Sequence, residues 1–206
     1  MFKNIVWDFD GTIFDTYEGI VDSLEFTLKE ENIYPNREEM LGNLKLSLKH
    51  TLEFYGKEYD FDAEKAAERF YIYEETIGLK KMFPFPNLEE ILNYVNSKDK
   101  DNYIYTHRGG STNLLIDKYN LNKYFKDIVT KNHKLKRKPD GEGFSYIIDK
   151  YNLKKEETLA VGDRELDLLA AKDAGIKSCL FISRGSSFSK TANYTIDNLL
   201  EIKKII

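Results

Sequence analysis

The chain has 206 residues, room for one large domain or one and a half small ones, and its 41% hydrophobic and 32% charged residues exclude wholesale disorder. A net charge of −4 supplies no general pull toward nucleic acid or anionic lipid, so neither is expected as a partner. Cys179, the single cysteine, cannot form an internal disulfide, no apolar run approaches the ~18 residues of a membrane span, and Asp8 comes too early for a secretory signal; a soluble, cytoplasmic protein is the expectation.

The first strand is expected at Asn4–Trp7. From about 17 to 81 the chain shows helical period and no convincing strand. Ile20, Leu24 and Leu28 share one face, and Ala66, Phe70, Tyr73 and Ile77 share another. Pro35 and Asn36 break the run, and Asp62 is a helix cap. Pro84-Phe85-Pro86 leads into a different pattern. Short apolar runs at 103–105, 128–129, 159–161 and 179–182 alternate with helical stripes at Leu88, Ile91, Leu92 and Val95, at Phe144, Ile147, Ile148 and Tyr151, and at Leu166, Leu169, Ala170 and Ala174. Gly175 stands where a helix C-terminal glycine belongs. Strands alternating with helices give an α/β fold, a Rossmann-like doubly wound parallel sheet formed by 1–15 and 85–206, with a helical insertion over 16–84.

The densest chemistry is Asp8-Phe9-Asp10-Gly11-Thr12, at the end of the first strand. Residues two apart in extended backbone point to one side, so both carboxylates converge. At ~4 Å and an effective dielectric of ~20 they repel by about 4 kcal/mol, which a hard divalent cation or a shared proton offsets. Gly11 lets the backbone turn sharply. Alone, the pentapeptide also fits an ordinary acidic strand-to-turn transition.

The pentapeptide resembles the signature of the haloacid dehalogenase superfamily, most of whose members are phosphatases. Three further motifs stand in that superfamily's order after later strands: Thr106; Lys138 followed by Pro139; and Gly162-Asp163-Arg164-Glu165-Leu166-Asp167. The insertion looks like the helical cap of the phosphoglycolate phosphatase-like and β-phosphoglucomutase-like branch. The resemblance implies an Mg²⁺-dependent phosphatase acting on a small phosphorylated metabolite. Asp8 is then the nucleophile that becomes an aspartyl-phosphate, and Asp10 the general acid and base. Asp8, Asp163, the Asp10 backbone carbonyl and Asp167, directly or through water, hold the metal. Lys138 balances charge and the Thr106 hydroxyl donates to a phosphate oxygen. Amides after Gly109 and Gly110 help cradle the anion, with Ser111 as helix N-cap.

His107 takes the place where the superfamily commonly has Asn, and is a candidate substrate contact. Lys138-Pro139-Asp140-Gly141 departs from the frequent Lys-Pro-x-Pro. Substrate contacts are also sought at Arg108 and, in the insertion, at Arg37, Lys45, Lys49 and His50. His50, His107 and His133 lack metal-ligand spacing, Cys179 reads as a buried strand residue, and the basic stretch 131–138 as a solvated loop apart from Lys138. The alternatives are a phosphomutase, which returns phosphate to a sugar, and a non-catalytic binding or regulatory protein on the same fold. Oligomeric state and the particular phosphate ester are not legible.

Overall fold

Asn4–Trp7 forms β1, four consecutive buried residues, as expected of a strand covered on both faces. A two-residue strand, β2, follows at Phe14–Asp15. The structure, a computed structural model, describes residues 1–183 and 189–206. They fall into two compact units, Met1–Asp15 with Pro84–Ile206, and Thr16–Phe83.

The second unit carries α1 (Tyr17–Lys29), α2 (Arg37–Leu46), α3 (Leu48–Tyr59) and α4 (Ala63–Thr76), then a 3-10 turn at Gly78–Lys81. Asn36 caps α2 by accepting the Glu38 N–H at 2.7 Å, and Asp62 caps α4 by accepting from Glu64 and Lys65. Leu24, Leu28, Met40, Leu52, Tyr55 and Phe70 form its core. One expected face needs correction: α4 buries Ala66, Phe70 and Glu74, while Tyr73 and Ile77 are only half-buried. Burial there repeats every four residues, which a three-residue step to Tyr73 leaves.

A two-residue strand, β3 (Phe83–Pro84), precedes the alternating part of the chain. It comprises α5 (Leu88–Ser97), β4 (Asp101–Tyr105), α6 (Ser111–Lys118), β5 (Phe125–Val129), α7 (Glu142–Tyr151), β6 (Thr158–Gly162), α8 (Glu165–Asp173), β7 (Lys177–Phe181) and β8 (Tyr194–Ile196). The sheet order is β5-β4-β1-β6-β7-β8, and every adjacent pair is parallel. This is the expected doubly wound sheet. The chain steps outward from β1 to β4 and β5, then crosses to β6 on the other side of β1. Strand order therefore reverses between β1 and β6, and open α/β sheets bind ligands at the carboxyl edge of such a point.

The two faces of the sheet separate by residue parity. Val6, Tyr103, Tyr105, Val129 and Ala160 pack against Phe144, Ile147 and Ile148 of α7 and Ala170, Ala171 and Ala174 of α8. On the opposite face the Trp7 indole donates to Asn102 at 2.8 Å, and Asn102 donates to Asn96 of α5 at 2.8 Å. Gly175 adopts φ +76° after α8, and Ile176 N–H closes the turn on Ala171 O at 2.9 Å, as its position predicted. The stripe expected on α8 shifts: Asp167, Leu168, Ala170 and Ala171 are buried, and Leu169 is exposed. Asp167 sets that rotation, because it faces inward beside Gly162, where a Cβ would lie 2.4 Å from the Asp167 Cβ. Strands run two or three residues longer than expected at β4, β5 and β6, and β7 ends at Phe181 rather than 182. Among the described residues no helix is long and apolar enough to cross a membrane.

Candidate active site

Asp8 directly follows β1 and is tied to β6 by its N–H, which donates to Val161 O at 2.8 Å. A tight loop then reverses the chain: Gly11 takes φ +77° and its N–H donates to Phe14 O at 2.8 Å, while Phe14 N–H returns to Phe9 O at 3.0 Å. A side chain at position 11 would be strained there. The Phe9 and Phe14 rings stack at 4.6 Å and stiffen the loop from beneath. Thr12 Oγ1 stands 3.4 Å from Asp8 Oδ2.

Lys138 meets Asp8 across the strand ends. Its Nζ donates to Asp8 Oδ1 at 2.7 Å, to Asp167 Oδ1 at 2.8 Å and to Tyr105 O at 3.0 Å. Within 131–138 it is the one buried cation, the remaining Lys and Arg residues of that stretch being exposed. Its pKa is raised: burial opposes the charge, but Asp167 and Asp8 outweigh burial. Asp167 is pinned through both oxygens, the second accepting the Arg164 N–H at 3.1 Å. Burial works against the Asp167 charge, yet Lys138 and Arg164 hold its carboxyl below the usual range. Asp8 shifts the other way. Burial and the neighbouring Asp167 push it up to about 6, against the pull of Lys138 and Arg164.

Asp163, at the end of β6, is 2% exposed, and Asp8, Asp163 and Asp167 each present an oxygen within 4.8 Å of the others. Two Mg–O bonds of ~2.1 Å reach across about 4 Å, and two Ca–O bonds across about 5 Å, so this spacing suits one hard cation. Three buried carboxylates face the Lys138 ammonium and the Arg164 guanidinium, which lies 3.7 Å from Asp163 and 3.9 Å from Asp167, and this leaves a negative excess of one charge. The residues therefore fit a divalent cation held by oxygen.

Asp10 lies outside this cluster. Its Oδ1 accepts from Arg108 Nε at 2.9 Å and Nη2 at 2.8 Å. Arg108 Nη1 in turn donates to Ser111 Oγ at 3.1 Å, and the guanidinium lies 5.9 Å from the centre of the Phe9 ring. Ser111 is thus not the expected cap: Gly110 is the N-cap residue of α6 and Ser111 begins the helix, where its oxygen serves Arg108. Thr106 is buried, and its Oγ1 accepts the Arg108 N–H at 3.1 Å. The hydroxyl proton thereby stays available to a ligand. His107, the candidate substrate contact, has its Nε2 engaged within the protein, where it accepts the Lys138 main-chain N–H at 2.9 Å.

Sequence reasoning passed over Tyr105, whose carbonyl and ring both hold Lys138, and Arg164, whose N–H orients Asp167. Position supplied the available signal: Tyr105 precedes Thr106, and Arg164 lies between the two acids of the fourth motif. In the helical unit, Arg37 pairs with Asp22 at 2.6 Å and with Glu25, Lys49 stands 3.6 Å from Glu53, and His50 is exposed. Lys45 lies 5.5 Å over the Tyr17 ring. Cys179 is fully buried in β7, as expected.

The model of the haloacid dehalogenase-like hydrolase family matches residues 5–181. Pyrophosphatase PpaX of Anoxybacillus flavithermus is 26% identical, covering 97% of this chain and 92% of that protein. Phosphoglycolate phosphatase of Pseudomonas fluorescens is 26% identical over 95% of this chain and 76% of that protein. A haloacid dehalogenase-like hydrolase from Streptococcus pneumoniae superposes with a TM-score of 0.83 at 19% identity, covering 99% of this chain and 98% of that one, a likeness of fold.

Proposed function

The chain belongs to the haloacid dehalogenase-like hydrolase family, and from that premise we propose that it is an Mg²⁺-dependent phosphatase that hydrolyses a small phosphorylated compound through an aspartyl-phosphate on Asp8. The observation that carries this reading is the buried Lys138 ammonium 2.7 Å from Asp8 and 2.8 Å from Asp167, with Asp163 closing a three-carboxylate group. Relatives named pyrophosphatase and phosphoglycolate phosphatase support the substrate class.

Asp8 attacks phosphorus, the P–O bond to the leaving group breaks, and the phosphoryl group passes to the carboxylate. Lys138 keeps Asp8 ionised and balances the phosphoryl charge. Thr106 donates its free hydroxyl proton to a phosphoryl oxygen. Asp10, steadied by Arg108, protonates the leaving oxygen and then takes a proton from the water that cleaves the aspartyl-phosphate. Asp8, Asp163, Asp167 and the Asp10 backbone carbonyl would hold Mg²⁺, which supplies Lewis-acid neutralisation of the phosphate. The unit Thr16–Phe83 serves as the cap that selects the leaving group.

Asp8→Asn tests the reading against an aryl phosphate with Mg²⁺. The expected result is a fall in kcat of several powers of ten in a protein that still unfolds cooperatively. Retained turnover would remove Asp8 as nucleophile.

A further inference from the structure

Lys138 sits on a connection whose flanking residues Arg137 and Asp140 meet solvent, yet its ammonium is placed between two buried carboxylates. Placing a four-carbon side chain requires that its own backbone be fixed. Two contacts from the end of β4 do this. Tyr105 Oη donates to Lys136 O at 3.2 Å, and His107 Nε2 accepts the Lys138 N–H at 2.9 Å. The second fixes the tautomer: an Nε2 that accepts carries no proton, so the proton lies on Nδ1, and an imidazolium could not make this bond at all.

The surroundings keep the ring neutral. Burial, then the positive charges of Lys138, Arg137 and Arg164, bring His107 down to about 3, with Asp167 as the opposing influence. The Tyr105 ring stands across the imidazole at 5.8 Å and 77°, limiting its rotation. The length of the side chain matters too. An asparagine amide ends near the place of Nδ1 and falls short of the Lys138 N–H, whereas a glutamine oxygen reaches the place of Nε2.

We propose that His107 is a positioning residue, a neutral imidazole whose Nε2 anchors the main chain of Lys138 and so delivers the ammonium to Asp8 and Asp167. The role presupposes that Lys138 works in catalysis as assigned above; the hydrogen bond and its tautomer do not.

Nitrogen-15 NMR of histidine-labelled wild-type protein tests the bond directly. The expected spectrum shows His107 with an unprotonated Nε2 and no titration between pH 5.5 and 8, and an Nε2–H tautomer or a midpoint near 6.5 overturns the proposal. His107→Leu and His107→Gln test the consequence. The Leu variant is expected to lose roughly ten- to a hundredfold in kcat with little change in KM, and the Gln variant to recover most of it. A Gln variant as impaired as Leu, or a loss confined to KM, overturns it. Reductive methylation with labelled formaldehyde reads Lys138 without any substrate. Lys138 is expected to resist in the wild-type and Gln proteins and to react in the Leu variant; equal resistance in all three overturns the proposal. Should no phosphate ester turn over, the tautomer and the methylation pattern still decide, so this inference and the phosphatase reading fail separately.

Discussion

Lys138→Met removes one charge and leaves a near-isosteric side chain, and its cost can be worked from the site. Oxygens of Asp8 and Asp167 lie within 4.8 Å of each other with the ammonium bridging them. Without it, the two carboxylates keep the mutual repulsion they have in the wild type and lose the attraction that offset it. Removing one partner of a buried ion pair costs about 3–5 kcal/mol, because the charges left behind stay desolvated. Urea unfolding in a chelator at pH 7 is therefore expected to show a loss of about 3–5 kcal/mol. The sign with pH follows from linkage. In the variant the folded pair has a raised pKa, so the unfolded chain gives up its proton first as pH rises, and stability falls from about pH 4 upward. The deficit relative to wild type should thus shrink toward pH 4. Millimolar Mg²⁺ should restore more stability to the variant than to the wild type, because the cation then replaces the missing charge. An unchanged midpoint in chelator, or a deficit equal at pH 4 and pH 7, would refute the assignment of Lys138 as the charge that holds these acids together.

Two other perturbations read the surrounding frame. A Cβ on Gly143 would lie 2.1 Å from the Tyr105 ring, so Gly143→Ala should lower stability by about 1–3 kcal/mol and depress turnover through the Tyr105–Lys138 contact; an unaltered Tm would show that the ring has room to move. Burial pushes the Cys179 thiol up to about 12, so the folded protein should resist a disulfide reagent at pH 8 and react on unfolding. Because a free thiol ionises near ~8.5, the unfolded chain loses this proton first, and that contribution to stability should decline as pH rises from about 8.5 to 12. Rapid labelling of the folded protein would contradict the burial.

What could be read from the sequence depended on how locally each feature is specified. Strands, caps and the terminal glycine of α8 rest on neighbouring residues, and the parallel sheet followed from their alternation. Asp62 as a cap and Gly175 in the left-handed region were visible for that reason. Lys138 stands in a run of cations and is not distinguished by charge pattern; its burial depends on partners 130 and 29 residues away. The Asp10–Arg108 pair spans 98 residues, a contact that no window of sequence contains. Leu168 and Leu169 are equally apolar, and which of them is buried depends on how closely Asp167 packs on Gly162. His107 was visible as an unusual residue, but an imidazole that accepts from a backbone amide leaves no mark on composition or period.

The central place of β1 has a consequence for biosynthesis. Its partners in register are Asn4 with Asp101 and with Thr158, so β1 is synthesised before both neighbours and must wait for about 150 further residues before both its edges are filled. The helices between 17 and 76 are contiguous, and their local contacts form while β1 still has an open edge. A chain interrupted before β6 would therefore expose an apolar strand ready to pair with other nascent chains. Completion of the strand that leads into Asp8 and protection from aggregation therefore arrive together, when β6 is made.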